Sequence, residues 1–226
     1  MSERILETLM QLFAIIAEPQ IDDGERRRVV ETFLSQLLNK ELVNKYLSKY
    51  DEAYEEESKK TKKKSRNLRE GAIAIRIRKL CSDINEQGQL TSEQRIYIVI
   101  KALEFCKSGG IEVCQMDREF INTLADGLGL SEEEYESIEN FVLRDFNNIP
   151  DMKSLLVIDS QENFNFNDTK HIFRDQLDGS IWILYIPRYE VYYIRFQGIK
   201  ELTINGQLLE NDKIYPLGTG ASIKIN

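Results

Sequence analysis

At Pro150 the hydrophobic pattern changes period, from apolar residues spaced about 3.6 apart to alternation at every second residue. A pattern written for one period splits its apolar side chains between two faces when drawn in the other, so each stretch commits to its own kind of structure. Helices followed by strands, rather than alternating with them, imply an α+β protein or two separate domains. We therefore expect residues 1–148 to form an all-α domain of about seven helices. Residues 152–226 should form a separate small antiparallel β domain, a sandwich or partial barrel.

The helical expectation rests on particular residues. Ile5, Leu6, Leu9, Met10, Leu12, Phe13, Ile15 and Ile16 are apolar around most of a helical circumference, which predicts a centrally buried helix. Pro19 disfavours helix in the residue before it and ends that run. Val29, Val30, Phe33, Leu34, Leu37 and Leu38 mark the next helix, and Leu42, Val43, Tyr46, Leu47 and Tyr50 continue after a break at Asn39. Ile73, Ile77, Leu80, Cys81 and Ile84 mark another. Thr91-Ser92-Glu93-Gln94 and Ser131-Glu132-Glu133-Glu134 are capping boxes, each opening a helix. The first is followed by Ile96, Val99, Ile100 and Leu103, the second by Tyr135, Ile138, Phe141 and Val142. Between them a helix from about Asp117 carries Phe120, Ile121, Leu124 and Ala125 and ends near Gly127-Leu128-Gly129.

Residues 51–70 pass from an acidic block, Asp51 to Glu57, into a basic one, Lys59 to Arg69. They read as a charged linker or helix extension; a basic patch for anionic lipid or an acidic partner is the alternative.

Past Pro150, the strand-like runs are 155–158, 181–186, 191–196, 202–204 and 222–225, and Asn205-Gly206 is a tight-turn signal. The chain stops at Asn226 directly after an alternating run, which reads as a β domain cut from something longer.

Several function classes are disfavoured. A net charge of −8 and a pI near 5.0 argue against nucleic acid as a partner, which requires a basic face. No apolar run approaches the 18 residues of a membrane helix, so no direct membrane insertion is expected, and the N-terminus is unlike a signal peptide. A cytoplasmic location is expected. Cys81, Cys106 and Cys114 are odd in number and lack zinc spacing, so they read as buried small hydrophobes. The chain has no P-loop, dinucleotide fingerprint, H-E-x-x-H or G-x-S-x-G motif. Its one histidine, His171, rules out a multi-histidine site within one chain and reads as a surface or strand-end residue. No enzymatic activity and no cofactor are expected.

Two stretches resemble the acidic turn of TerB-like (tellurite-resistance B) helical domains. The first is Ala17-Glu18-Pro19-Gln20-Ile21-Asp22-Asp23-Gly24-Glu25, the second Ser108-Gly109-Gly110-Ile111-Glu112 with Asp117-Arg118-Glu119. The resemblance implies a bundle of about seven helices and an acidic turn associated with a divalent metal. Glu18, Asp22, Asp23 and Glu25 would be the metal ligands, since hard cations take several oxygens from a short loop. The family pattern would place Asp at Glu18, Gly at Pro19 and Asp at Ser108, so part of the acidic set is missing. Helix capping by Asp22 and Asp23, with Glu25 favourable in the first turn, is the preferred reading.

The segment Leu202 to Leu209 followed by Ile214 to Ile225 is similar to the last third of a forkhead-associated (FHA) β-sandwich. The Gly-Arg turn and Ser-x-x-His loop that bind phosphothreonine in that family are absent upstream, so phosphopeptide recognition is not implied. A TerB-like bundle joined to an FHA-like module is in turn similar to the N-terminal region of certain bacterial ATP-binding-cassette (ABC) transporter proteins. That resemblance implies a non-catalytic regulatory or protein-interaction region. Its partners would be another protein or downstream ATPase and membrane domains of the same polypeptide, at the inner face of the membrane. The alternative is a stand-alone metal- or stress-responsive TerB-like protein.

Overall fold

The computed structural model describes residues 3–17, 23–35, 37–61, 66–86, 90–107, 113–162, 164, 166 and 168–225. Among them are seven α-helices and eight strands in an α+β arrangement. The chain divides into two compact units, Met1–Tyr135 and Glu136–Asn226.

The helical unit contains α1 (Glu3–Ile16), α2 (Asp23–Ser35), α3 (Lys40–Thr61), α4 (Arg66–Glu86), α5 (Ser92–Lys107) and α6 (Gln115–Gly127). The helix α1 is apolar on most sides and is buried as its sequence requires, with Leu9, Met10, Leu12, Phe13 and Ala14 almost wholly inaccessible. It packs on α3, α4 and α5. The helix α5 is its equal at the centre, since Ile96 through Leu103, Phe105 and Cys106 are all buried. Phe13 stacks on Phe105 at 4.9 Å and meets Phe33 of α2 edge-on at 5.8 Å. Aromatic pairs of this geometry add about 0.5–1.5 kcal/mol beyond the area they bury.

Helix ends are satisfied by side chains. Thr91 Oγ1 accepts the Gln94 N–H while Gln94 Oε1 accepts the Thr91 N–H, both at 3.2 Å. Ser131 and Glu134 repeat the box at the start of α7 (Glu132–Leu143). At the C-termini the donors come from other elements. Arg26 of α2, buried over the Phe105 ring, donates to the Ile16 carbonyl. Arg95 and Asn85 donate to Leu128 O and Gly127 O at 3.0 and 2.9 Å. The close approach of α6 to α4 uses Gly127, where a Cβ would stand 2.7 Å from Cys81 Sγ.

Two details depart from the sequence expectation. The helix α2 ends at Ser35, so Leu37 falls in the following turn and is exposed rather than buried. Cys114 is not a buried hydrophobe but the exposed N-cap of α6. Its Sγ accepts the Asp117 N–H, and Asp117 Oδ2 accepts the Cys114 N–H, which starts the helix at Gln115, ahead of Asp117. The acidic block and the first lysines of residues 51–70 form a helix extension to Thr61, with Glu55–Lys59 and Glu56–Lys60 paired one turn apart. Glu57 pairs across to Arg76 of α4.

The second unit contains β1 (Leu155–Asp159), β2 (Lys170–Phe173), β3 (Gly179–Ile186), β4 (Val191–Gly198), β5 (Leu202–Ile204), β6 (Gln207–Leu208), β7 (Ile214–Leu217) and β8 (Ile223–Ile225). Five strands make one sheet in the order β2-β1-β3-β4-β7, and three make another in the order β6-β5-β8. Between the sheets lie Leu177, Ile181, Ile183, Ile194, Phe196, Leu202, Ile204 and Leu209. Asn205 and Gly206, at φ 50° and 84°, make the mirror-image turn joining β5 to β6 that the sequence signals. The sheets are not wholly antiparallel, because β2 pairs parallel to β1.

The division falls inside α7, whereas the change of hydrophobic period falls at Pro150. Arg195, on the interior strand β4 and 2% exposed, explains this. Its guanidinium donates to Phe141 O at 2.6 Å and Val142 O at 2.9 Å, and lies over the Phe141 ring. Phe146 then stacks on Trp182 at 4.0 Å, and Arg144 pairs with Asp212. The second half of α7 is thereby part of the β unit.

Replacing Arg195 with Met strands two helix carbonyls and should lower the unfolding free energy of this unit by about 2–4 kcal/mol. Chemical denaturation checks this, and a loss below about 1 kcal/mol would contradict it. Burial pushes the Cys81 thiol up to about 11 and the Cys106 thiol higher still, while Cys114 is exposed. Burial also raises the Cys114 thiol, but it alone is exposed, so a thiol reagent at neutral pH should titrate Cys114 first in the native protein and all three cysteines only after unfolding.

Candidate functional site

The five-stranded sheet is wider than the three-stranded sheet packed on it. Registered pairs place Leu156, Ile183 and Ile194 in one row and Tyr185, Tyr192 and Leu217 in the next row on the same face. The second sheet buries Ile183 and Ile194, but Tyr192 stays 37% exposed. Where coverage stops, a groove of about 500 Å³ remains. All five strands of the larger sheet contribute to its lining, together with the turn before β1 and the loop after β7.

Each polar wall has a local cause. Lys153 sits on the Met152–Ser154 turn, where Asp151 Oδ1 accepts the Lys153 N–H at 3.1 Å. Lys170 is the first residue of β2, in register with Leu156. Tyr185 and Tyr192 face each other across β3 and β4 and stack at 4.5 Å, forming the aromatic part of the floor. Opposite the lysines runs Gly218-Thr219-Gly220-Ala221, closed by an Ala221 N–H to Gly218 O bond at 3.1 Å. Its end is pinned where Ser222 N–H donates to Asn205 Oδ1 and Asn205 N–H to Ser222 O, both at 2.9 Å. Among the described residues, two lysines therefore line the groove and no carboxylate does, in a chain whose net charge is −8. An amphipathic floor with cations at one wall can hold an anionic group beside apolar ones.

His171 lies on the other face of the sheet, in register with Val157 and Trp182. Its Nε2 is 2.9 Å from Asp159 Oδ1, which also accepts the Gln161 N–H, and its ring stacks on Phe164 at 4.3 Å. The strand-end expectation is thus refined to a half-buried tie between β2 and β1. A second cavity, of about 480 Å³ and lined by α1, α3 and α4 residues, holds the ion pairs of Glu7 with Lys49, of Glu57 with Arg76 and Lys60, and of Glu56 with Lys60.

Of the sequence-derived metal ligands, Glu18 and Asp22 lie outside the described residues, and Asp23 and Glu25 fall in α2 with side chains outside them. Among the described residues no group of three or more His, Cys, Asp or Glu side chains is placed to hold a metal ion. The groove residues Lys153, Lys170, Tyr185, Tyr192 and Thr219 were not singled out from sequence. The alternation in β3 and β4 marks Tyr185 and Tyr192 as sharing a face, but which part of that face stays uncovered depends on the second sheet.

In comparisons with known proteins, no family model, no curated protein and no solved structure matches the chain. Among the described residues, no helix is long and apolar enough to cross a membrane.

Both lysines are exposed, so Lys153→Gln and Lys170→Gln should each change the unfolding free energy by less than about 0.5 kcal/mol. A clearly larger loss in thermal or urea unfolding would mean that these ammonium groups hold the fold rather than furnish the groove.

Proposed function

We propose that the chain is a non-catalytic, cytoplasmic regulatory or protein-interaction region, with the β unit as its recognition half. The observation that carries this reading is the groove, whose lysines and stacked tyrosines suit recognition of a ligand. Among the described residues its lining holds no cysteine, histidine or carboxylate, side chains that often act as nucleophile or general base. His171, the chain's one imidazole, is turned to the opposite face and engaged with Asp159. The resemblance to TerB-like and FHA-like modules adds a context: such a region would serve an ABC-type transport ATPase, as part of the same polypeptide or as its partner. Buried Cys81 and Cys106, unpaired as thiols, fit a reducing compartment.

The test is photo-cross-linking in cells from a reactive side chain placed at Tyr192, combined with turnover assays on the purified chain. The expected result is a discrete protein adduct containing a transport ATPase component, and no hydrolysis of ATP. Turnover of ATP at about 1 per second or more by the chain alone would contradict the reading, as would the absence of any protein adduct.

A further inference from the structure

We propose that the groove of the β unit binds an extended acidic peptide segment of about six residues, laid across the strands with its carboxylates toward Lys153 and Lys170. This deepens the recognition reading above and rests on it.

Three observations specify the ligand. The first is charge. The chain carries 38 acidic residues against 30 basic ones, yet among the described residues the groove is lined by two lysines and by no acidic side chain. The two lysines attract an anionic ligand to one wall of the groove, which sets its orientation there. The second is length. The lining runs from Lys170 on β2, through Leu156, Ile183 and Tyr192, to Leu217 on β7. Four inter-strand steps at about 4.8 Å give a path of roughly 19 Å. An extended peptide covers that distance with about six residues at about 3.3 Å each. The third is the alternation of chemistry along the path. Lysines stand at one wall, an apolar and aromatic floor follows, and the Thr219 hydroxyl with the peptide groups of residues 218–221 makes the other wall. A peptide presents side chains to alternate sides and keeps backbone donors and acceptors that need partners, and this lining offers both.

The test uses the full chain and a fluorescein-labelled octapeptide in which glutamate alternates with leucine and tyrosine. Controls are the same peptide with lysine for glutamate, dodecanoate, and vesicles containing anionic phospholipid. Fluorescence anisotropy should show saturable binding of the acidic probe at least about tenfold tighter than the lysine probe, weakening as salt rises. The double variant Lys153→Gln/Lys170→Gln should weaken binding about tenfold or more. So should Gly218→Phe, which sets a ring on the groove wall where an added Cβ meets nothing within 4 Å. Thermal unfolding of each variant establishes that it is folded, and Lys213→Gln, outside the lining, should bind as the parent does. Equal binding of both peptides, indifference to the variants, or binding of only dodecanoate or vesicles would overturn the proposal. If cross-linking from Tyr192 captures a protein while the acidic probe fails to bind, the ligand chemistry is wrong and the interaction reading stands. If neither occurs, both fall.

Discussion

A guanidinium buried on an interior strand of a sheet must find acceptors, because an unpartnered charge in that position costs several kcal/mol. Arg195 finds them in the last carbonyls of α7, the groups that a helix leaves without internal partners and where its dipole is negative. One side chain thus answers two unmet demands. The consequences reach along the chain: α7 lies with its second half against the sheet, Phe146 comes over Trp182, and Asp212 is drawn between Arg144 and Arg195. The same logic recurs in the helical unit. None of α1, α6 or α7 carries a basic residue in its last turn, and each receives its donors from a different element.

Fixing α7 on one face of the five-stranded sheet leaves the other face for the second sheet. Three short strands are too few to cover five. The uncovered remainder is where Tyr185 and Tyr192 stack, and the loop from Gly218 to Ala221 fixes the width of the opening. The groove is therefore a direct outcome of unequal sheets. Its positive lining is a local matter: Lys153 rides on a turn capped by Asp151, and Lys170 begins an edge strand. Lysine is common on edge strands, where it discourages pairing with other chains, and here its placement also puts an ammonium beside an aromatic floor.

Much of this was legible in the sequence. The change of period at Pro150 separated helices from strands, and both capping boxes mark the helix starts seen in the structure. The turn at Asn205-Gly206 was equally clear, since only such residues accept two successive positive φ angles readily. What escaped were elements whose stability is tertiary. The strand β2 is four residues long, mostly exposed and held by its pairing to β1, so it carries no strong alternation of its own. The strand β7 contains Pro216, which reads against a strand and is accommodated because β7 lies at the sheet edge. Arg195 was unreadable for a different reason: an arginine between Ile194 and Phe196 looks like an outward-facing residue until α7 supplies its acceptors. The groove escaped because a site defined by missing coverage leaves no motif. The FHA-like segment includes residues 217–221 of the groove wall, but that resemblance carried no binding role for them and did not point to the groove.

The central claim is that recognition resides on the uncovered part of the five-stranded sheet. Backbone amide chemical shifts of the full chain, followed while the unlabelled acidic octapeptide is added, test it most directly. The account predicts concentration-dependent shifts concentrated at Tyr185, Tyr192, Leu217 and residues 218–221, with the Lys153 and Lys170 amides moving with them. Shifts centred instead on Phe164, His171 and Trp182, or on the charged cleft formed by α1, α3 and α4, would contradict it.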